Sequence, residues 1–307
     1  MSNQERIFNY FNHINVVLTK KCNLDCNFCR VSKNKLSLSS VNIMSFLSDY
    51  QKAYSLKILK FLGGEPLLEW ELLVYILNTY SGKVVFEVNT NGHLLDKQKM
   101  KFLNEISNCI TVISFDYEKW QIEQFLQKLR CLGENNTKNI HINILVAPDH
   151  IKKLSKEINL LFKLDVGGFR FIPVFYKNWS LENFNKLRVF LKKLSILQKN
   201  GIKIENRAFA YDNNFLMNNQ LTVDSDGSVY FFDSILLDFF DSTKNEFKIT
   251  NIDERDCFEK MNNVVGNYDI VLGKLDLLKK KMSLNINSQF IQTNTLLYQL
   301  FRKYLDN

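Results

Sequence analysis

Three of the six cysteines in this chain of 307 residues, Cys22, Cys26 and Cys29, stand within eight residues in CNLDCNFC, while Cys109, Cys131 and Cys257 are scattered singly. Thiolates are soft ligands, so a C-x3-C-x2-C loop suits zinc or an iron-sulfur cluster. A structural zinc site is closed by four ligands. No neighbouring Cys or His completes one here, and the nearest further candidates are His13 and His93. A four-iron cluster held by three cysteines leaves one iron open to an outside ligand, which is what a reactive cluster needs. A disulfide scaffold is not expected, because six cysteines are too sparse in a chain this long.

These residues need elements to position them. Ile14 to Thr19, Leu56 to Gly63, Lys83 to Asn89, Ile110 to Asp116, His141 to Ala147 and Gly168 to Val174 are apolar, β-branched runs that predict strands. Amphipathic stretches lie between them, among them SSVNIMSFLSDYQKAYS, LEWELLVYILNTY, DKQKMKFLNEIS and EKWQIEQFLQKLRCLG. Such alternation calls for a parallel sheet covered by helices, either an open barrel or a doubly wound sheet. The cysteine loop follows the first strand, and Gly63-Gly64-Glu65-Pro66 ends the second. Both therefore fall on the rim where a barrel carries its chemistry.

Past Val174 the pattern changes. SLENFNKLRVFLKKLSILQKN predicts a long helix stopped by Gly201, and LTVDSDGSVYFFD predicts two short strands around an Asp226-Gly227 turn. The remainder, from about Asn251, reads as mostly helical with a polar interruption at NINSQFIQTN. The expected organisation is a core barrel over residues 1–176 and an α+β extension over 177–307, without an intervening linker.

Composition narrows the class. No apolar run approaches the roughly 20 residues of a membrane helix, and MSNQERIFNYFNH is too polar for a signal peptide, so a cytoplasmic protein with no membrane partner is expected. The surplus of +8, from 40 basic against 32 acidic residues, is spread over helix faces such as KKLSKE and RVFLKK. It is not interleaved with aromatics, so nucleic acid is not an expected partner.

The cysteine loop resembles the signature of the radical S-adenosylmethionine (SAM) enzymes. The resemblance implies an open six-stranded (βα) partial TIM barrel and a 4Fe-4S cluster on Cys22, Cys26 and Cys29. It also implies SAM bound to the open iron, reductive cleavage of SAM, and hydrogen abstraction from a substrate carbon. Phe28 matches the family's aromatic near the adenine. Gly63, Gly64 and Glu65 match its Gly-Gly-Glu motif, in which the glutamate pairs with the methionine ammonium. EVNTNGHLL and VISFDY resemble strand ends lining SAM or substrate, which nominates Asn89, Asn91, Ser114 and Asp116; Asn143 in HINILVA is a further candidate.

LTVDSDGSVYFFD is similar to the hairpin of SPASM and twitch extensions, which bind auxiliary clusters. Phe232 stands where those have a cysteine, and none lies between Cys131 and Cys257, so a single cluster is expected. Cys257, with Tyr211 or Tyr230 as substitutes, is the candidate hydrogen donor, on the expectation that its segment covers the barrel mouth.

The family's relatives with this motif order imply a ribosomally made peptide as substrate, with epimerisation or a crosslink as outcome. A small metabolite such as an amino sugar, nucleoside or amino acid is the alternative, and a non-catalytic metal-binding or sensing module a third. No separate leader-peptide-binding domain is recognisable. A flavodoxin or ferredoxin is the expected electron donor, its acidic surface attracted to a basic protein.

Overall fold

Strand β1 (His13–Thr19) and the five that follow it appear where the β-branched runs place them. They are β2 (Ile58–Gly63), β3 (Val85–Thr90), β4 (Cys109–Phe115), β5 (Ile140–Val146) and β6 (Gly168–Pro173). Between them run α1 (Ser40–Tyr54), α2 (Trp70–Tyr80) after a 3-10 turn at Pro66–Glu69, α3 (Lys97–Glu105), α4 (Ile122–Leu132) and α5 (Ile151–Leu161). The computed structural model describes residues 12–29, 31–32, 36–132, 137–174, 177–205, 221–231, 244–265, 270, 273–274, 277 and 288–305.

Beyond β6 come α6 (Leu181–Lys199), β7 (Leu221–Val223), β8 (Ser228–Tyr230), β9 (Lys248–Asn251), α7 (Cys257–Val265) and α8 (Ser288–Leu305). Ser180 caps α6 by accepting from the Asn183 amide at 3.2 Å, and Gly201 ends the segment with φ +94°.

The sheet has nine strands in the order β6-β5-β4-β3-β2-β1-β7-β8-β9, parallel from β6 to β7 and antiparallel at β8 and β9. The hairpin is therefore not set apart from the barrel: Ile14 to Val16 of β1 pair with Leu221 to Val223 of β7. The expected boundary at residue 176 falls outside the described residues. So do Tyr211 and Phe232.

Each strand has two unlike faces. Ile14, Val16, Leu59, Phe61, Phe86, Val88, Ile142, Ile144, Phe169 and Phe171 join the helices in one apolar core. The alternate positions carry Asn15, Lys60, Glu87, Asn89, Ser114, Asn143 and Arg170. Arg170 of β6 donates to Glu87 of β3 at 2.9 Å. In a flat sheet those strands would lie about 14 Å apart. The contact therefore requires the sheet to curl toward its polar face, which becomes the inside of an open barrel.

Two expectations need correction. From Ser288 on, the NINSQFIQTN stretch is helical and not an interruption: it opens α8, which buried Leu297, Phe301 and Leu305 anchor at four-residue spacing. The segment after β4 is not helical from Glu118. The Lys119 and Trp120 amides bond to the Asp116 carbonyl in a turn, and α4 starts only at Ile122.

Among the described residues, no helix is long and apolar enough to cross a membrane.

Candidate active site

A cavity of about 180 Å³ opens at the carboxyl ends of the strands. Nine of the nominated residues line it: Cys22, Cys26, Phe28, Cys29, Gly63, Gly64, Asn89, Asn91 and Ser114. Leu24, Leu62, Thr90 and Lys119 complete the wall. All three thiols are free, and Cys26 feels both of its partners. Burial pushes the Cys26 thiol up to about 11, against the opposing pull of the Lys119 ammonium.

The cysteine loop is held at several points. The Cys29 amide bonds to the Cys26 carbonyl at 3.0 Å, and the Asn27 amide reaches Glu118 at 2.9 Å. Glu118 is in turn paired with Lys177 at 3.3 Å. Asn91 Nδ2 lies 2.8 Å from Asn23 Oδ1 and 3.8 Å from Cys22 Sγ, while the Leu24 amide points at the same sulfur from 3.4 Å. N–H groups directed at a ligating sulfur favour its charged form and tune a cluster's potential. Lys20, just ahead of Cys22, pairs at 3.0 Å with Asp224 of the β7–β8 turn, and Lys244 joins the same carboxylate at 2.6 Å. The hairpin thus buttresses the loop.

The glycines answer to the chain itself. A Cβ on Gly64 would stand 2.0 Å from the Lys21 carbonyl oxygen, and one on Gly63, where φ is +128°, would stand 2.3 Å from that of Thr19. The β2 terminus lies so close to the cysteine loop that no side chain fits between them.

Glu65 is engaged by the chain itself. It is fully buried and does not line the cavity. Its Oε1 accepts from Thr90 Oγ1 at 2.7 Å and the Leu67 amide at 3.1 Å, and its Oε2 from the Asn91 amide at 2.8 Å. The carboxylate ties the β2 terminus to the β3 terminus. Burial pushes its pKa above the ordinary carboxylate value, with these hydrogen bonds pulling the other way.

Asp116 is likewise a turn-builder. It accepts from the Glu118 and Lys119 amides at 3.0 and 3.1 Å and pairs with the Lys119 ammonium at 2.9 Å. This turn carries Lys119 into the cavity, with its Nζ 5.3 Å from the centre of the Phe28 ring. Sequence reasoning missed Lys119 by placing it in a helix; its position three residues past Asp116 was the available signal. Trp120 stacks on His93 at 3.9 Å and donates to the Asn91 carbonyl at 3.0 Å, fixing the loop after β3.

Asn143 faces the barrel interior below the cavity, in register with Ser114 and Arg170. Cys257 does not cover the mouth. It opens α7, where its neighbour Phe258 stacks on Phe46 and Tyr54 of α1, and it is 3% exposed. Burial pushes its thiol up to about 11, as expected of a small core residue. Tyr230 is also buried, in the hairpin beneath the Lys244 ammonium.

The fold and the site define a class, that of the radical SAM enzymes, and residues 16–161 of the chain match the Radical SAM superfamily. Among curated relatives, a probable GTP 3′,8-cyclase of Sulfurisphaera tokodaii is 25% identical over 223 residues, spanning 67% of this chain and 70% of that protein. The radical SAM cyclopropyl synthase TigE of Paramaledivibacter caminithermalis is 22% identical over 246 residues, 68% of this chain and 51% of that protein. Among solved structures, Streptococcus suis SuiB bound to precursor peptide SuiA has a TM-score of 0.62 at 13% identity, covering 88% of this chain and 69% of that one. The anSMEcpe complex with AdoMet and the Cp18Cys peptide has a TM-score of 0.59 at 20% identity, covering 81% and 79%.

The family's cofactors are a 4Fe-4S cluster and SAM, and the donor set fits a cluster. Three thiols of one loop face one cavity. Thiolates are the ligands a 4Fe-4S cluster takes, and three of them would leave one iron open to an outside ligand.

Proposed function

We propose that this enzyme cleaves SAM reductively at a single 4Fe-4S cluster held by Cys22, Cys26 and Cys29, and removes hydrogen from a carbon of a ribosomally made peptide. The observation that carries the reading is the convergence of the three thiols with Gly63, Gly64, Asn89, Asn91 and Ser114 on one cavity at the strand ends. When bound, the cluster supplies the electron that splits the sulfonium of SAM. The chain's own part is to hold and orient. Gly63 and Gly64 let the β2 terminus close on the cysteine loop. Asn91 and the Leu24 amide are directed at the Cys22 sulfur. Phe28 and Lys119 form one wall for the nucleoside, and the amides and hydroxyl of Asn89, Asn91 and Ser114 offer it hydrogen bonds from the other.

The peptide reading draws support from the likeness to SuiB with its precursor peptide and to the peptide complex of anSMEcpe. Epimerisation and crosslinking are the two outcomes in view. The S. tokodaii relative, by its name a GTP cyclase, supports a small-metabolite substrate as the second reading. A flavodoxin or ferredoxin serves as electron donor.

The test is to reconstitute the protein anaerobically and supply dithionite and SAM. Host extract, divided into a peptide fraction and a small-metabolite fraction, is then added. Stimulation of 5′-deoxyadenosine formation by the peptide fraction alone is expected. Stimulation by the small-metabolite fraction alone would overturn the peptide reading in favour of the second.

A further inference from the structure

Below the cavity, the interior of the barrel holds a charge set with no place in the account so far. Lys60 Nζ lies 3.0 Å from Glu87 Oε1, and Arg170 Nη1 lies 2.9 Å from Glu87 Oε2. Two cations thus share one carboxylate, with a single positive charge in excess. An excess charge held away from bulk water favours the arrival of a counter-charge. No second carboxylate pairs with either cation among the described residues. Glu205 pairs instead with Lys203 at 3.5 Å and faces His141 Nδ1 at 2.9 Å, a ring whose pKa burial lowers. His13, which feels Lys60 and Glu87, adds no charge near neutral pH, because burial lowers its pKa to about 4.

Three further features mark this as a site open to a ligand. Lys60 and Arg170 are each 23% exposed although they stand on the inner face of the barrel. Asn89, whose side chain lines the cavity, donates to Glu87 Oε1 at 3.2 Å, so the charges are continuous with the cavity. Asn143, in register between Ser114 and Arg170, keeps a buried carboxamide oxygen with no partner. Buried polar atoms are nearly always satisfied, and a carboxamide beside a guanidinium can present either its oxygen or its NH2 to an arriving group.

We infer that Lys60 and Arg170, set on Glu87 inside the barrel, form a subsite for an anionic group of the substrate, a carboxylate or a phosphate. This deepens the reading above, since the subsite opens from the same cavity and would fix which carbon of the substrate faces SAM. A carboxylate would come from an acidic side chain or terminus of a peptide, and a phosphate from a phosphorylated metabolite.

The test is calorimetric titration of the reconstituted protein, without turnover, using glutarate and inorganic pyrophosphate as separate probes and SAM as a third ligand. Saturable binding of one anion is expected, weakening with salt as charge pairing requires. Arg170→Met and Lys60→Met, checked for folding by circular dichroism, should each weaken it about tenfold or more, the effect of losing one charge-assisted hydrogen bond. Glu87→Gln should tighten it, because the excess charge doubles; a purely structural triad predicts no such gain. Binding of glutarate but not pyrophosphate assigns a carboxylate source, and the reverse a phosphate source. Failure of both probes to bind, equal binding by the variants, or loss of SAM affinity in Arg170→Met with probe binding intact would overturn the subsite. Absence of SAM cleavage would sink the radical reading instead, and that is measured separately.

Discussion

Replacing Glu65 by alanine separates two roles for the same residue. The structure gives the carboxylate three donors, Thr90 Oγ1, the Leu67 amide and the Asn91 amide, all in buried surroundings. A hydrogen bond to a charged acceptor contributes about 1.5–3 kcal/mol, so three give roughly 4.5–9 kcal/mol. Against this stands the burial of the carboxylate, whose effective penalty is several kcal/mol and which alanine relieves. A net loss of about 2–4 kcal/mol follows, a large share of the roughly 5–15 kcal/mol that separates native from unfolded chains. With a urea slope of about 2 kcal/mol per molar, the unfolding midpoint should fall by about 1–2 M. The assay is urea unfolding followed by circular dichroism, with SAM binding measured in parallel on the folded variant. An unchanged midpoint together with lost SAM affinity would refute the reasoning and return Glu65 to the role of ammonium partner.

Two further predictions concern acid and close packing. Glu87 and Asp224 both have pKa values below the ordinary carboxylate range; burial raises them, but the charges of Lys60 and Arg170 on the one and Lys244 and Lys20 on the other prevail. Stability from groups depressed in the folded state is present above their unfolded values, 4.5 and 3.8, and is lost as pH falls through the folded ones. Thermal unfolding should therefore move to lower temperature on acidification below these values, and Glu87→Gln should flatten that dependence; an equally steep profile would contradict it. Gly64→Ala places a Cβ against the Lys20 and Lys21 carbonyl oxygens, so the cysteine loop must shift, at a cost of about 1–3 kcal/mol. Iron content after reconstitution should drop, and unchanged loading would show that the loop yields freely.

Much of this was legible in the chain. The six barrel strands were readable because each carries a β-branched run bounded by turn residues, and the cysteine spacing marked its own loop. What escaped lies in side-chain partnership across strands. Glu65 looks like a ligand in a motif, yet two of its three donors, the Thr90 hydroxyl and the Asn91 amide, are brought to it only by the end of the third strand. Lys119 was hidden because a turn built on Asp116 replaces the first turn of the expected helix. The polar inner face, with Lys60, Glu87 and Arg170, could not be foreseen from runs read as mostly apolar. Their pairing requires the sheet to curl, which no local sequence feature states. Cys257 shows the opposite error: the segment expected over the barrel mouth packs instead in the apolar layer against α1.

The most direct test of the account is iron and sulfide content after anaerobic reconstitution, followed by dithionite, SAM and a chromatographic assay for 5′-deoxyadenosine, with Cys26→Ala beside the parent chain. About four irons per chain, the content of one 4Fe-4S cluster, with 5′-deoxyadenosine formed by the parent and neither in the variant, is the predicted result. Zinc in place of iron, or SAM cleavage by Cys26→Ala at the parental rate, would contradict it.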